Sequence, residues 1–157
     1  MRRITEHRQM GLGVITNINK SKDAAADKVG VAQAYSSYAL TTTDAQGKIT
    51  SCVIDASQTD VEFDKSGKIT SDLTAEQKTK NELGAAYNMK DASGIKKEWN
   101  EQAAAFAKYV KGKTAADVKS IAISEDGKAT NKDITATVTV SIDGFMGTIE
   151  KAVAGAK

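Results

Sequence analysis

The chain has 157 residues, of which 40% are hydrophobic and 27% charged, a length and balance that suit one globular domain burying roughly 70% of its unfolded surface. Its 22 basic and 20 acidic residues are interspersed and leave a net charge of +2, so no strong field draws it to nucleic acid or anionic lipid. The single histidine, His7, and the single cysteine, Cys52, exclude an imidazole cluster, a Ser-His-Asp triad within the domain, an intrachain disulfide and a cysteine-type zinc site.

The first ten residues, Met1 to Met10, read as a charged leader or tag-like segment outside the core, with residues 11–157 forming a single domain. No apolar h-region follows the leader as a secretory signal requires, and no run approaches the roughly 18 apolar residues of a membrane helix. Proline is absent, so turns fall to Gly, Asp and Asn.

In chain order, Gly13 to Asn19 reads as a short strand and Gly30 to Thr43 as a longer one, its alternate residues divided between two faces. Two D-x-x-G-K-I-T segments follow, Asp44 to Thr50 and Asp64 to Thr70. In each, Asp can accept from backbone amides and Gly supplies the left-handed conformation of a hairpin loop. Neither has the ligand spacing of a calcium loop. Lys48 to Ala56 and Val61 to Phe63 read as the strands beside these tips, and Glu125-Asp126-Gly127-Lys128 repeats the turn after a strand at Ser120 to Ser124.

A capping box at Thr74 to Gln77 predicts a helix ending at Gly84, and Ser93 to Glu98 opens a longer one with Ile95, Trp99, Ala103, Phe106 and Val110 at helical spacing. Thr114 to Asp117 caps a short helix, and a last one runs from about Asp143 with Phe145, Ile149, Ala152, Val153 and Ala156 on one side. These elements predict an α+β fold, a single domain with an antiparallel sheet of about four to six strands and helices packed on one face.

Candidate chemistry is sparse. Asp55, Asp60, Glu62, Asp117 and Asp133 offer carboxylates that nothing in the sequence pairs, and Cys52 in an alternating strand reads as a small buried hydrophobe rather than a reactive thiol. The stretch Asn131 to Phe145 is more distinctive. It reads as a turn, a strand with Thr135, Thr137, Thr139 and Ser141 on one face, and a helix start whose unpaired N–H groups suit an anion.

At this stretch the sequence resembles the FMN-binding domain of Gram-positive surface lipoproteins and of subunits of ion-pumping flavin complexes, whose segment reads D-x-x-[ST]-G-A-[ST]. Asp133 falls on the motif's Asp and Thr139 on the threonine that accepts FMN through a phosphoester, while Ala136, Thr137 and Val138 replace Ser/Thr, Gly and Ala. The β-branched Thr137 and Val138 crowd the close phosphate approach that Gly allows, which argues against covalent flavinylation. The resemblance implies an extracytoplasmic, cell-surface lipoprotein setting. It leads to a noncatalytic binding or structural module on a degenerate FMN-binding-like scaffold, with either no cofactor or FMN held noncovalently.

On that reading Asp133, Thr137, Thr139 and Ser141 are the cofactor-binding residues, with Tyr35, Tyr38 and Tyr87 available for stacking. Two alternatives stand beside it. One is a flavin-binding electron carrier, in which FMN supplies the redox chemistry. The other is a self-assembling surface or filament subunit, whose proline-free strands could pair edge to edge. The partners expected are a flavin, further copies of the chain or a surface protein, and not nucleic acid.

Overall fold

The computed structural model describes residues 8–157, so the first seven residues of the expected leader lie outside the described residues, while Gln9 and Met10 already belong to the first strand. Three long strands, β1 (Gln9–Asn17), β2 (Gly30–Thr43) and β3 (Ile49–Phe63), form an antiparallel sheet in the order β1-β2-β3. The helices α1 (Lys80–Leu83), α2 (Trp99–Tyr109), α3 (Ala115–Lys119), α4 (Lys132–Thr135) and α5 (Asp143–Ala154) follow. Of these, α5 packs on β1 and β2, and α2 packs on β3. The α+β class is the one the sequence predicts.

Among the described residues the strand count is three because the expected strands at Lys48–Ala56 and Val61–Phe63 are one continuous β3, and Ser120–Ser124 contributes only an isolated bridge from Ile123 to Ala129. The repeated turn nonetheless forms all three times. At the β2–β3 tip Asp44 Oδ1 accepts from Gln46 N and Lys48 N, both at 2.9 Å, and Gly47 takes φ 74°. Asp64 does the same for Ser66 N and Lys68 N with Gly67 at φ 83°. In the third copy the Ser124 hydroxyl stands in for the carboxylate, accepting from Lys128 N at 3.2 Å, and Gly127 sits at φ 76°. Only the first joins two full strands. After the second, the chain makes an isolated Phe63–Ile69 bridge and leaves.

The Thr-rich stretch after Asn131 is not a strand. Lys132–Thr135 is helical, Thr137 N and Val138 N return to Ile134 O, and Thr139 N and Val140 N donate to the Gln102 side chain at 2.8 and 3.1 Å. With these amides bound locally or to α2, none is left for a strand partner. The other boundary shifts have similar causes. The working capping box of α1 is Thr79 with Glu82 rather than Thr74 with Gln77, and α2 starts at a box made by Glu98 and Glu101, leaving Ile95 in the preceding loop. The boxes at Thr114 and the start of α5 at Asp143 fall where the sequence puts them.

The core lies between the sheet and the helices. Trp99 meets Phe145 edge-on with centroids 5.6 Å apart, and Phe106 packs on Phe145 at 5.7 Å. Beneath them the sheet offers small residues. A Cβ on Gly11 would lie 1.8 Å from Ala152 O, and one on Gly13 2.1 Å from Thr148 O, so α5 rides directly on the β1 backbone. Gln102 is fully buried and fully used: its Oε1 holds the Thr139–Val140 backbone, while Nε2 donates to Ser93 Oγ at 3.2 Å and Lys97 O at 3.1 Å.

Candidate functional site

A capping box turns the chain into α1 at Thr79 and sends the next side chain, Lys80, under the helix against the sheet. Lys80 is 5% exposed. Its Nζ donates to Tyr35 Oη at 2.9 Å and lies 4.7 Å from the Tyr35 ring centroid, 4.5 Å from Tyr87 and 5.0 Å from Trp99. Tyr35 comes from β2, Tyr87 from the 3-10 turn Gly84–Tyr87 after α1, and Trp99 from the first turn of α2. No ion pair reaches Lys80 among the described residues.

The electrostatics follow from that enclosure. Burial pushes the Lys80 ammonium down from 10.5 to about 8, while the three ring faces return part of the lost solvation. Burial, with Tyr87 and Asp143 nearby, pushes the Tyr35 phenol up to about 12, so it remains a neutral acceptor for the Lys80 N–H. Burial raises Tyr87 as well.

Tyr35, Tyr87 and Lys80 floor a groove of about 490 Å³, within the range of small-molecule sites. Lys20 and Lys22 form one wall. They are carried there because Lys22 bridges to Val31 and the Ser21 hydroxyl accepts from Gln33 N at 3.0 Å, folding the β1–β2 connection back along β2. Gln33, Gln58 and Asp60 complete the polar lining, with Gln58 Nε2 donating to Asp60 Oδ2 at 3.1 Å. Three lysines against one carboxylate leave the groove positive, and its rings offer flat apolar surface.

A second groove of about 400 Å³ runs between β3 and α2, lined by Cys52, Ala104, Ala107 and Lys111 among others. Burial pushes the Cys52 thiol up to about 12 against the opposing pull of Lys111, which keeps it protonated and poorly nucleophilic. Beside it the buried Asn100 Oδ1 has no hydrogen-bond partner among the described residues.

The residues singled out from the sequence are placed elsewhere. Asp133 is exposed on α4, where its N–H donates to Asn131 Oδ1 at 2.9 Å. Thr137 Oγ1 donates to Ile134 O at 3.3 Å, Thr139 Oγ1 to Gln102 Oε1 at 3.3 Å, and Ser141 Oγ to Asp126 O at 3.0 Å and Asp143 Oδ1 at 2.9 Å. None of the four lines the Lys80 groove. Of the three tyrosines, Tyr35 and Tyr87 meet at Lys80, whereas Tyr38 faces the other side of the sheet and bonds Ser57 Oγ at 2.9 Å. Sequence reasoning missed Lys80, Lys20 and Lys22. The one available signal was the second box, Thr79 with Glu82, which fixes where Lys80 points.

No group of three or more metal-ligating side chains occurs among the described residues, and no helix there is long and apolar enough to cross a membrane. No family model, curated protein or solved structure matches the chain, so the groove is read from its own chemistry.

Proposed function

We propose that the chain is a noncatalytic, extracytoplasmic binding module that holds a planar, negatively charged small molecule in the Lys80 groove. One observation carries the reading: a buried ammonium enclosed by three aromatic rings, with no carboxylate paired to it among the described residues, at the floor of a groove walled by two more lysines. A ligand anion would supply the missing counter-charge, and a flat ring system would stack on the exposed parts of Tyr35 and Tyr87. The cellular setting comes from the sequence resemblance. The noncatalytic part is supported by Cys52, held protonated, and by threonine hydroxyls already committed to protein acceptors.

FMN is the first ligand to test, because it joins a flat tricycle to a phosphate and because of the resemblance at Asp133 and Thr139. It would sit in the groove noncovalently, and any redox chemistry would be the flavin's own. Fluorescence titration of FMN, with riboflavin as the phosphate-free comparator, tests the reading. Saturable FMN binding, about tenfold weaker for riboflavin and lost in Lys80→Met, is the expected result. A flat FMN titration, or equal binding by wild type and Lys80→Met, would overturn the site.

A further inference from the structure

We infer that the uncovered face of the sheet is a contact surface for a second copy of this chain, the two copies packing sheet against sheet. The antiparallel register lines up four rows across that face: Met10 with Thr42 and Ser51, Leu12 with Leu40 and Val53, Val14 with Tyr38 and Asp55, Thr16 with Ser36 and Ser57. The second row is an apolar bar spanning all three strands, with Leu12 62%, Leu40 41% and Val53 58% exposed. Met10, at 57%, extends it.

Charge decides which occupant the face fits. The chain is 27% charged, so about three charges would be expected in these four rows at the chain's average. One is present. It is Asp55, whose Oδ1 accepts from Ala56 N and Asn81 N and is thereby held toward α1 at the β3 edge. The remaining polar groups are hydroxyls that bond one another along the face, Thr16 with Ser36 at 2.8 Å, Tyr38 with Ser57 at 2.9 Å and Thr42 with Ser51 at 2.6 Å. Such a face offers nothing to a strongly charged partner and is complementary in kind to itself, as a two-fold contact requires.

The edges of the sheet argue for face-to-face rather than edge-to-edge association. Met10 exchanges backbone bonds with Lys157, Lys151 Nζ donates to Val14 O, Ile49 exchanges bonds with Lys113 and Gly112, and Asn81 Nδ2 donates to Ile54 O. Both outer strands are therefore partly occupied by their own chain, which blunts strand addition. From strand spacing and rise the four rows cover about 400 Å² per copy, or about 800 Å² for a pair, an area typical of weak, reversible contacts rather than permanent ones. Aligned sheets about 10 Å apart would interleave the apolar bars of the two copies.

Sedimentation velocity over about a hundred-fold range of concentration tests this. The expected result is a reversible shift from one copy to two as concentration rises, abolished by Leu40→Lys, which puts an unpaired charge in the centre of the bar. A thermal melt checks that the variant folds. Independently of any variant, oxidation of Met10 by hydroxyl radicals should fall in the wild type as concentration rises. A wild-type chain monomeric throughout would overturn the proposal and leave the face to a different chain. A dimer that survives in folded Leu40→Lys, or Met10 oxidation that ignores concentration, would overturn it too.

Discussion

Along β2, neighbouring residues meet opposite surroundings. Ser37, Ala39, Thr41 and Thr43 are buried beneath the helices, while Ser36, Tyr38, Leu40 and Thr42 look out over open sheet. The covered side holds the smaller residues, continued on β1 by Gly11 and Gly13, and the open side holds the aliphatic bar. This inverts the usual expectation of bulk inside and polarity outside. The helices bring most of the bulk, Trp99, Phe106, Phe145 and Ile149, with Ile49 and Ile54 added from β3, while β1 and this stretch of β2 make room for it. Burial here follows from which face can let a helix approach.

The largest break in that contrast comes from adding bulk to the covered side. Gly13→Val would drive a branched side chain into the Thr148 carbonyl, and we expect a loss of more than about 4 kcal/mol in urea unfolding, or no folded protein. Gln102→Leu keeps the volume but strips the partners of Thr139 N and Val140 N. Its expected cost is about 2–3 kcal/mol, read from the same unfolding curves, since two partly buried donors lose their acceptor.

Lys80 gives a prediction in pH. Unfolded, it keeps its proton to about 10.5, and folded it releases it near about 8. Between those values the unfolded chain binds more protons, so this group makes stability rise with pH from about 8. Tyr35 works the other way, because it ionises near 10 when unfolded and about 12 when folded, so stability from it falls as pH passes 10. Cys52 also works against Lys80, because its thiol ionises near 9 when unfolded and about 12 when folded. Denaturation midpoints should therefore climb between about pH 8 and 9, level off, and turn down above about 10, and Lys80→Met should abolish the climb while keeping the downturn. On the open side, Thr16→Ala removes only the exposed bond to Ser36 and should change stability by less than about 0.5 kcal/mol in a calorimetric scan.

What could be read from the sequence was what short-range chemistry determines. The Asp-x-x-Gly-Lys turns, the Thr114 box and the start of α5 each depend on a few adjacent residues, and they fall where expected. The strand expected after Asn131 failed because alternating threonines satisfy a strand pattern equally well when an amide side chain 37 positions away takes up the backbone donors. The groove was half legible. Tyr35 and Tyr87 were named for stacking, but a lysine that burial makes special carries no mark in the sequence, since its partners come from β2, a 3-10 turn and α2. The glycines of β1 were equally silent: only the arrival of α5 gives them a role.

That last contact ties one end of the described chain to the other. Lys151 Nζ reaches Val14 O across 137 positions, and the helix that seals the β1 glycines comes after every other described element in chain order. The β2–β3 hairpin, closed by a tight local turn, can form early, but the first strand cannot gain its cover until α5 has left the ribosome. Folding is thus expected to be slow for a chain of this length, limited by closure of its longest loop, with a nascent stage in which β1 and β2 lack their helical cover and are open to capture by a chaperone.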